Sequence, residues 1–208
     1  MKIKESLKNQ IYNAILNGIL SGEFKPEQIL TERELVDKYG CSKAPVREAL
    51  ITLCNDDILR SFPRYGYEIV RLTSEHVEEV MDYRLILETG YLRKSYQTLT
   101  KLQLNELKQI ADRCQSPEAD VWEHWEANTD FHLTLISFSR NRYACEQLKK
   151  SMGILKRAYA QFYWQTWNQS MTTADVQNHY PIIKSLENRD IEQAVKLLEQ
   201  DLKDFCFY

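Results

Sequence analysis

The chain has 208 residues, of which 43% are hydrophobic and 27% are charged, so it carries enough apolar material for a packed core and is far from a disordered composition. Its 27 basic and 30 acidic side chains give a formal charge of -3, which argues against a wholly basic nucleic-acid coat but not against a local basic face. No segment approaches the roughly 20 apolar residues of a membrane span, so the sequence predicts neither a transmembrane helix nor a signal peptide.

The cysteines indicate a reducing compartment. They are odd in number, widely scattered and never spaced as Cys-x-x-Cys, a pattern that suits neither a disulfide framework nor a cysteine zinc site. We therefore expect reduced thiols and a cytoplasmic location. The five residues are Cys41, Cys54, Cys114, Cys145 and Cys206.

The composition of the chain changes near residue 72. Most glycines and prolines precede this position, whereas all four tryptophans follow it. The first part is therefore expected to be a short unit with several turns, and the second a long helical one. The first part opens with an amphipathic helix that ends at Ser21, because apolar residues recur every four positions. These residues are Leu7, Ile11, Ile15 and Ile19.

Two further helices are predicted in the first part. Thr31 and Glu34 have the spacing of a capping box, in which each side chain bonds the backbone amide of the other residue. They predict a helix over Glu32–Tyr39. Ser42 is predicted to cap a third helix, roughly Lys43–Asn55.

A hairpin completes the first part. Short strands are predicted over Leu59–Phe62 and Tyr67–Val70, joined by a turn at 63–66. Three helices and a hairpin, with a tight turn at Gly40 between the second and third helices, are the elements of a winged helix-turn-helix. Residues 1–72 are therefore predicted to be a DNA-binding domain.

The second part, residues 73–208, is predicted to be an all-helical bundle. It shows no convincing alternation with a period of two, and its apolar residues repeat at helical spacing. The predicted fold class is therefore mainly α, a winged helix-turn-helix followed by a helical bundle. The predicted helices cover approximately 74–96, 100–114, 120–138, 142–166, 178–188 and 190–206.

The N-terminal end of the third helix carries the side chains expected to contact DNA, because this end of a recognition helix enters the major groove. Ser42 and Lys43 can donate to phosphate, and Arg47 can reach a phosphate or a guanine edge. Arg33 begins the preceding helix, and Arg64 lies at the tip of the wing. We predict that these side chains form a DNA-binding face; the alternative is that they are ordinary solvated charges.

These segments resemble the winged-helix domain of the GntR family over residues 5–71. The most specific signature is the run Pro45-Val46-Arg47-Glu48-Ala49-Leu50, supported by Ile19–Pro26 and Leu30–Leu35. Lys43 stands where the family usually has arginine; it keeps the charge but loses the bidentate fork, so the operator preference of relatives does not transfer. The resemblance implies that DNA-contact positions are occupied by Arg33, Ser42, Lys43, Pro45, Arg47 and Gly66.

Residues 74–206 are similar to the helical FCD ligand-binding domain of the FadR-like GntR subfamily. The fragments that carry the similarity are Arg84–Glu88, Asn128–His132, His179 with Ile182–Ile183, and Ala194–Leu202. In many members an Asp or Asn four residues before a histidine, together with two later histidines, holds a divalent metal beside a carboxylate-bearing effector. The resemblance therefore implies a metal site with the ligands Asn128, His132, His179 and Asp201.

The spacing of these residues independently favours their convergence. Asn128 and His132 are i, i+4 neighbours on one helix face. His179 and Asp201 each lie 11 residues from Asp190, which is predicted to lie at the turn of an antiparallel helix hairpin. The two residues are therefore expected at about the same level along the axis of the hairpin. Asp201 stands where the family usually has its third histidine, but a carboxylate can still ligate. Imidazole with oxygen ligands suits zinc, nickel, iron or manganese better than calcium.

Arg84 is the first candidate for binding the effector, because its guanidinium can hold a carboxylate with two hydrogen bonds. The alternative is a local ion pair with Glu88, four residues later. Arg157, on the predicted helix over 142–166, is a second candidate. His124 lies one turn before Asn128 and is expected to be partly exposed.

The sequence therefore predicts a ligand-responsive transcriptional repressor, not an enzyme, that binds double-stranded operator DNA as a homodimer. One helix-turn-helix reads a single half-site, so a symmetric operator needs two copies. Two alternatives remain open. One is a metal-dependent hydrolase built on His132, His179 and Asp201. The other is a metal-free sensor in which the two histidines hydrogen-bond an organic acid.

Overall fold

The computed structural model describes residues 6–116, 118–167 and 176–204. These residues form a mainly helical structure with a small sheet, which confirms the predicted fold class. The α-helices are α1 Leu7–Leu20, α2 Glu32–Tyr39, α3 Lys43–Asn55, α4 Ser74–Ser95, α5 Lys101–Cys114, α6 Val121–Ser137, α7 Arg142–Trp167, α8 His179–Glu187 and α9 Ile191–Asp204. The strands are β1 Ile29–Leu30, β2 Leu59–Phe62 and β3 Gly66–Ile69, and a 3₁₀ helix covers Tyr96–Thr98.

The chain divides into two units. One comprises Met1–Ser74 together with Arg157–Gln165, and the other comprises Glu75–Lys156 together with Thr166–Tyr208. The C-terminal part of α7 therefore belongs to the first unit, which the sequence did not indicate.

In the first unit, local signals fix where α2 and α3 begin and end. Thr31 and Glu34 form the predicted capping box, with the Thr31 hydroxyl accepting from the Glu34 amide and the Glu34 carboxylate accepting from the Thr31 amide. Gly40 ends α2 in the left-handed region, with φ 61°. Ser42 is the N-cap residue of α3, but its hydroxyl makes no capping hydrogen bond. The core between the helices and the sheet includes Ile15, Leu35, Val46, Leu50, Leu53 and Ile69.

The sheet has three antiparallel strands in the order β1-β3-β2. The strand β1 was not predicted, because two residues are too short to show an alternating pattern. Phe62 pairs with Gly66, so β3 begins one residue earlier than predicted. A Cβ atom added to Gly66 would lie 2.6 Å from the carbonyl oxygen of Leu30, and the φ angle of Gly66 is 133°. Only glycine fits this position without strain.

The second unit contains a helical core built from one apolar face of each helix. On α9 the buried positions follow a helical repeat, and Asp201 lies on the same buried face as Leu198 and Leu202. Arg189, between α8 and α9, donates from Nη1 to the Tyr96 carbonyl at 2.7 Å and from Nη2 to the Leu99 carbonyl at 3.2 Å. It thereby satisfies carbonyl groups after the end of α4. None of the described helices is both long and apolar enough to span a membrane.

Candidate functional site

The helix α3 presents one face to the core and the other to solvent. Val46, Ala49 and Leu50 are buried and fix the helix in the first unit. Lys43 and Arg47 are exposed on the other side. This division follows from the i, i+3, i+4 spacing of the apolar residues, and it leaves the cationic N-terminal end of α3 accessible to a polyanion.

Glu32 at the start of α2 lies beside the Arg47 side chain. Its Oε1 atom lies 3.6 Å from Nε of Arg47 and 3.5 Å from the hydroxyl group of Tyr67. Arg33 has a weaker contact, because its side chain is 92% exposed and its Nε atom lies 4.0 Å from Oδ2 of Asp37. An exposed pair of this kind contributes little stability, so Arg33 can leave Asp37 for a phosphate.

The wing carries Arg64 and Tyr65 at its tip. Arg64 is exposed and has a φ of 72°, and the turn is closed by a hydrogen bond from the Tyr65 amide to the Phe62 carbonyl at 3.0 Å. Tyr65 is 75% exposed and was not among the predicted site residues. The close approach of the backbone to β1 explains why position 66 is a glycine. Pro45 is half-buried. The contacts of Pro45 and Gly66 with DNA stay predictions.

A cluster of buried polar side chains lies in the second unit, contributed by four helices. Each member is at most 3% exposed. Arg84 and Glu88 come from α4, His132 from α6, His179 from α8 and Asp201 from α9. Buried charges are rare unless they are paired or bind a ligand.

These side chains form a continuous chain of polar contacts. Arg84 donates from Nε to Glu88 Oε1 at 2.8 Å, and Glu88 Oε2 lies 2.7 Å from His132 Nδ1. On the other side of the imidazole, His132 Nε2 lies 3.3 Å from Asp201 Oδ2. Asp201 Oδ1 in turn lies 3.8 Å from His179 Nε2. The ion pair of Arg84 with Glu88, which was the alternative to effector binding, is therefore present.

The electrostatics favour a charged His132 and a neutral His179 in the metal-free protein. Burial alone would lower the pKa of His132, but the Glu88 and Asp201 carboxylates outweigh it and raise the pKa to about 9. Burial, followed by the charge of His132, lowers the pKa of His179 to about 2. Burial raises the pKa of Glu88, but the charges of Arg84 and His132 outweigh this effect and hold the pKa below its ordinary value.

Several polar atoms of the cluster have no hydrogen-bond partner among the described residues. They are Arg84 Nη2, Asp201 Oδ1, and both Nδ1 and Nε2 of His179. The His179 ring stacks on Phe131, with ring centroids 3.7 Å apart and an angle of 9° between the planes. Leaving such atoms unsatisfied in the interior is unfavourable, so their convergence points to a ligand.

The donor set fits a divalent transition metal. One ligand atom from each of His132, His179 and Asp201 lies within 4.8 Å of the others, and two imidazoles with one carboxylate suit such an ion. Glu88 binds Nδ1 of His132, so Nε2 is the atom directed at Asp201; a carboxylate on the second nitrogen is the usual partner of a metal-binding histidine. Glu88 was missed in this role because 44 residues separate it from His132.

The other predicted residues lie as follows. Asn128 is buried one turn before His132 on α6, and its role as a ligand stays a prediction. His124 is buried, not partly exposed as predicted, and its Nδ1 lies 3.0 Å from the Cys114 carbonyl. Arg157 belongs to the first unit, where its Nη1 donates to the Asp57 carbonyl at 3.2 Å. Its part in effector binding stays a prediction.

A winged helix-turn-helix whose third helix exposes a cationic N-terminal end, on the same chain as a helical domain with a buried polar cluster, is the architecture of a bacterial transcription regulator. Sequence comparison places this class more narrowly. Residues 7–69 match the profile of the bacterial regulatory proteins of the gntR family, and residues 79–204 match that of the FCD domain. The chain belongs to the gntR family of regulators with an FCD domain.

Individual relatives agree with this membership. The chain is 30% identical over 137 residues to the uncharacterized HTH-type transcriptional regulator YdhC of Bacillus subtilis, covering 64% of this chain and 61% of that protein. It is 25% identical over 193 residues to the gluconate operon transcriptional repressor of Bacillus licheniformis, covering 88% and 77%. In structure it is similar to Escherichia coli McbR/YncC, with a TM-score of 0.76, 22% identity and coverage of 96% and 94%.

Proposed function

We propose that this protein is a transcriptional repressor that binds double-stranded operator DNA as a homodimer through α3 and the wing. The observation that carries the proposal is the exposed, cationic N-terminal end of α3. Ser42, Lys43 and Arg47 are exposed there; the first two would donate to phosphates, and Arg47 would donate to a base edge or a phosphate. Arg33 and Arg64 extend this surface on α2 and the wing.

Selection from a pool of random 40-base-pair duplexes tests this proposal without knowledge of the operator. We expect the full-length protein to enrich duplexes with two inverted half-sites about one helical turn apart. Binding of the enriched duplex should weaken steeply with salt, because phosphate contacts release counterions. Enrichment of no sequence, or equal affinity for the starting pool, would contradict the proposal.

We propose further that the second unit is the sensor and that it holds a divalent transition metal. The ligands would be His132, His179 and Asp201, with Asn128 as the fourth. The support is the set of buried, unsatisfied atoms on His179 and Asp201, together with the carboxylate of Glu88 behind His132. When bound, the metal would supply a Lewis-acid coordination position for an oxygen of the effector.

The effector would be a small carboxylate. Arg84 donates from Nε to Glu88, and its buried Nη2 has no hydrogen-bond partner in the part of the chain that the structure describes. This nitrogen can therefore donate to an incoming carboxylate oxygen. The charges of the site also favour an anionic effector. A divalent cation and Arg84 together would carry one positive charge more than the negative charges of Glu88 and Asp201. A buried excess charge is unfavourable, and a monoanionic carboxylate would balance it.

Repression would respond to the effector if the carboxylate binds the DNA-bound and DNA-free arrangements with different affinity. The test combines elemental analysis of untagged protein, purified without chelators, with thermal unfolding in a panel of small sugar acids and dicarboxylates. We expect stoichiometric metal and stabilisation by at least one acid that also changes DNA affinity. Stabilisation by an acid in protein without metal would instead favour the metal-free sensor, in which Arg84 and the two histidines bind the acid directly.

A further inference from the structure

The exposed face of α3 carries a large apolar side chain that the core does not use. Ile51 is 48% exposed, whereas Val46, Leu50 and Leu53 on the same helix are fully buried. In the part of the chain that the structure describes, Ile51 is not among the apolar side chains that pack on the core of the first unit. It shares the solvent side of the helix with other residues at helical spacing. This α3 face consists of Lys43, Ala44, Arg47, Glu48 and Ile51.

Ile51 lies one turn after Arg47 on the α3 face. Four residues of an α-helix turn by about 400° and rise by about 6 Å, so the two side chains leave the helix only about 40° apart. When the N-terminal end of α3 lies in the major groove, Ile51 therefore faces the same groove as Arg47. Successive base pairs are about 3.4 Å apart, so Ile51 would lie within about two base pairs of the position that Arg47 reaches.

The charges beside Ile51 favour base edges over the phosphate backbone at this position. Around the helix, Ile51 lies between Arg47 and Glu48, about 40° from the first and about 60° from the second. Glu48 is exposed, and its carboxylate repels phosphate groups. Lys43 and Arg47 lie together on the other side of Ile51. The cationic side of the α3 face therefore suits the DNA backbone, and the part that contains Ile51 suits the floor of the groove.

The chemistry of the major groove identifies which base an isoleucine would contact. The apolar group that the bases present there is the C5 methyl of thymine, and the other groups are hydrogen-bond donors and acceptors. Packing Ile51 on a donor or acceptor would desolvate that group without a hydrogen bond, whereas packing it on the methyl removes apolar surface of both partners from water. Because isoleucine in a helix has one preferred χ1 rotamer, the contact orders little that is not ordered already.

We propose that Ile51 is a specificity-determining residue that contacts the C5 methyl of a thymine in each half-site of the operator. This inference rests on the proposed function, because it requires α3 to enter the major groove. It adds a residue and a base to that function, since Ile51 is not among the DNA-contact positions that the family resemblance implies.

Uracil substitution in the selected duplex tests the contact directly, because uracil pairs as thymine does but lacks the C5 methyl. Each thymine of a half-site is replaced in turn, and the affinity of the full-length protein is measured by fluorescence anisotropy. We expect one position per half-site at which uracil weakens binding about fourfold, the factor that corresponds to one buried CH₂-sized group. At the same position, 5-methylcytosine should be preferred over cytosine by the same factor. Equal affinity for every uracil duplex would overturn the proposal.

An Ile51→Ala variant assigns the methyl contact to this side chain. The substitution is at an exposed helical position, so the fold should be retained, as a melting curve would show. We expect Ile51→Ala to bind the thymine and uracil duplexes equally, and Leu102→Ala, at a 79% exposed position on α5, to keep the fourfold difference. A fourfold difference in Ile51→Ala as well would overturn the proposal, because another group would then contact the methyl.

The two proposals fail in distinguishable ways. A selected duplex with inverted half-sites whose affinity does not depend on any thymine methyl would overturn the role of Ile51 and leave the repressor function standing. Selection of no sequence would overturn the repressor function, and the role of Ile51 with it.

Discussion

The carboxylate of Glu88 lies 2.7 Å from Nδ1 of His132, and both side chains are 2% exposed. This contact makes Nδ1 the hydrogen-bond donor, so Nε2 is the nitrogen that remains for Asp201 or for a metal. Glu88 is itself held by Arg84. The orientation of one proposed ligand is therefore fixed by Glu88 directly and by Arg84 through Glu88.

Glu88→Gln should weaken zinc binding about 10–100-fold, the usual effect of losing a carboxylate behind a metal-binding histidine. The amide still fills the space but carries no charge to orient and activate the imidazole. Calorimetric titration of zinc into the chelator-treated protein measures the effect. Glu106→Gln, at an exposed position on α5, is the matched control. Equal affinity in the two variants would show that Glu88 does not support the site.

His179→Ala should abolish stoichiometric metal binding and the rise in melting temperature on adding zinc, because a ligand that binds only the folded state stabilises it. In the metal-free protein the same substitution removes the stacking on Phe131, and no hydrogen bond that the described residues make with His179. His76→Ala, at an exposed position on α4, should retain both properties. Metal content and melting curves with and without chelator provide the measurement, and zinc-dependent stabilisation of His179→Ala would argue against a metal at this site.

The metal-free protein should lose stability as the pH rises from 6.5 to 9.5. The folded-state pKa of His132 is raised from 6.5 to about 9, so the folded protein holds this proton more tightly than the unfolded chain. Its contribution, on the order of 3 kcal/mol, is fully present below pH 6.5 and is lost as the pH passes 9. Urea unfolding in the presence of a chelator measures this loss, and His132→Gln should remove most of it. A loss of the same size in both proteins would contradict the assignment.

The lowered pKa of His179 makes stability depend on pH in the direction opposite to that of His132. The pKa of His179 in the folded protein is lowered to about 2. Below pH 6.5 the unfolded chain therefore binds a proton at this residue that the folded protein does not bind, and the free energy of unfolding falls as the pH drops further. The metal-free protein should therefore be most stable near pH 6.5. In His179→Ala the decline below that pH should be smaller.

Arg47→Ala should weaken binding to the selected duplex by about 1–3 kcal/mol per half-site while leaving the fold intact. The substitution removes a charged donor from the accessible face of α3, whereas the buried face of the helix is unchanged. Electrophoretic mobility shifts measure the affinity, with Arg142→Ala on α7 as a control of equal charge. If Arg47→Ala binds as tightly as Arg142→Ala, the recognition surface lies elsewhere.

Two glycine substitutions should change stability in opposite directions. Gly66→Ala places a Cβ 2.6 Å from the Leu30 carbonyl at a φ of 133°, and should cost about 1–3 kcal/mol. Gly153→Ala, inside α7 with nothing within 4 Å of its Cβ, should stabilise by about 0.5–1 kcal/mol. Chemical denaturation measures both. Stabilisation by Gly66→Ala would show that the approach of β1 to the wing is looser than described.

The sequence predicts most of the helices because caps and apolar periodicity are local properties, as at Thr31 and Glu34. The contacts that it does not predict join distant residues. The position of Glu88 behind His132 depends on the packing of α4 against α6, and no spacing rule connects them. The hydrogen bond from Arg157 to the Asp57 carbonyl spans 100 residues, and it is this packing that divides α7 between the two units.

The division of α7 has a consequence for dissecting the protein into fragments. A fragment that begins at residue 74 retains Gln161, whose side chain bonds both the amide and the carbonyl of Leu72, but loses Leu72 itself. It also retains the largely buried Arg157 without Asp57. Each fragment from a single cut would therefore expose surface that the intact chain covers, and a fusion that supplies residues 157–165 to the N-terminal piece would be the more stable way to isolate it.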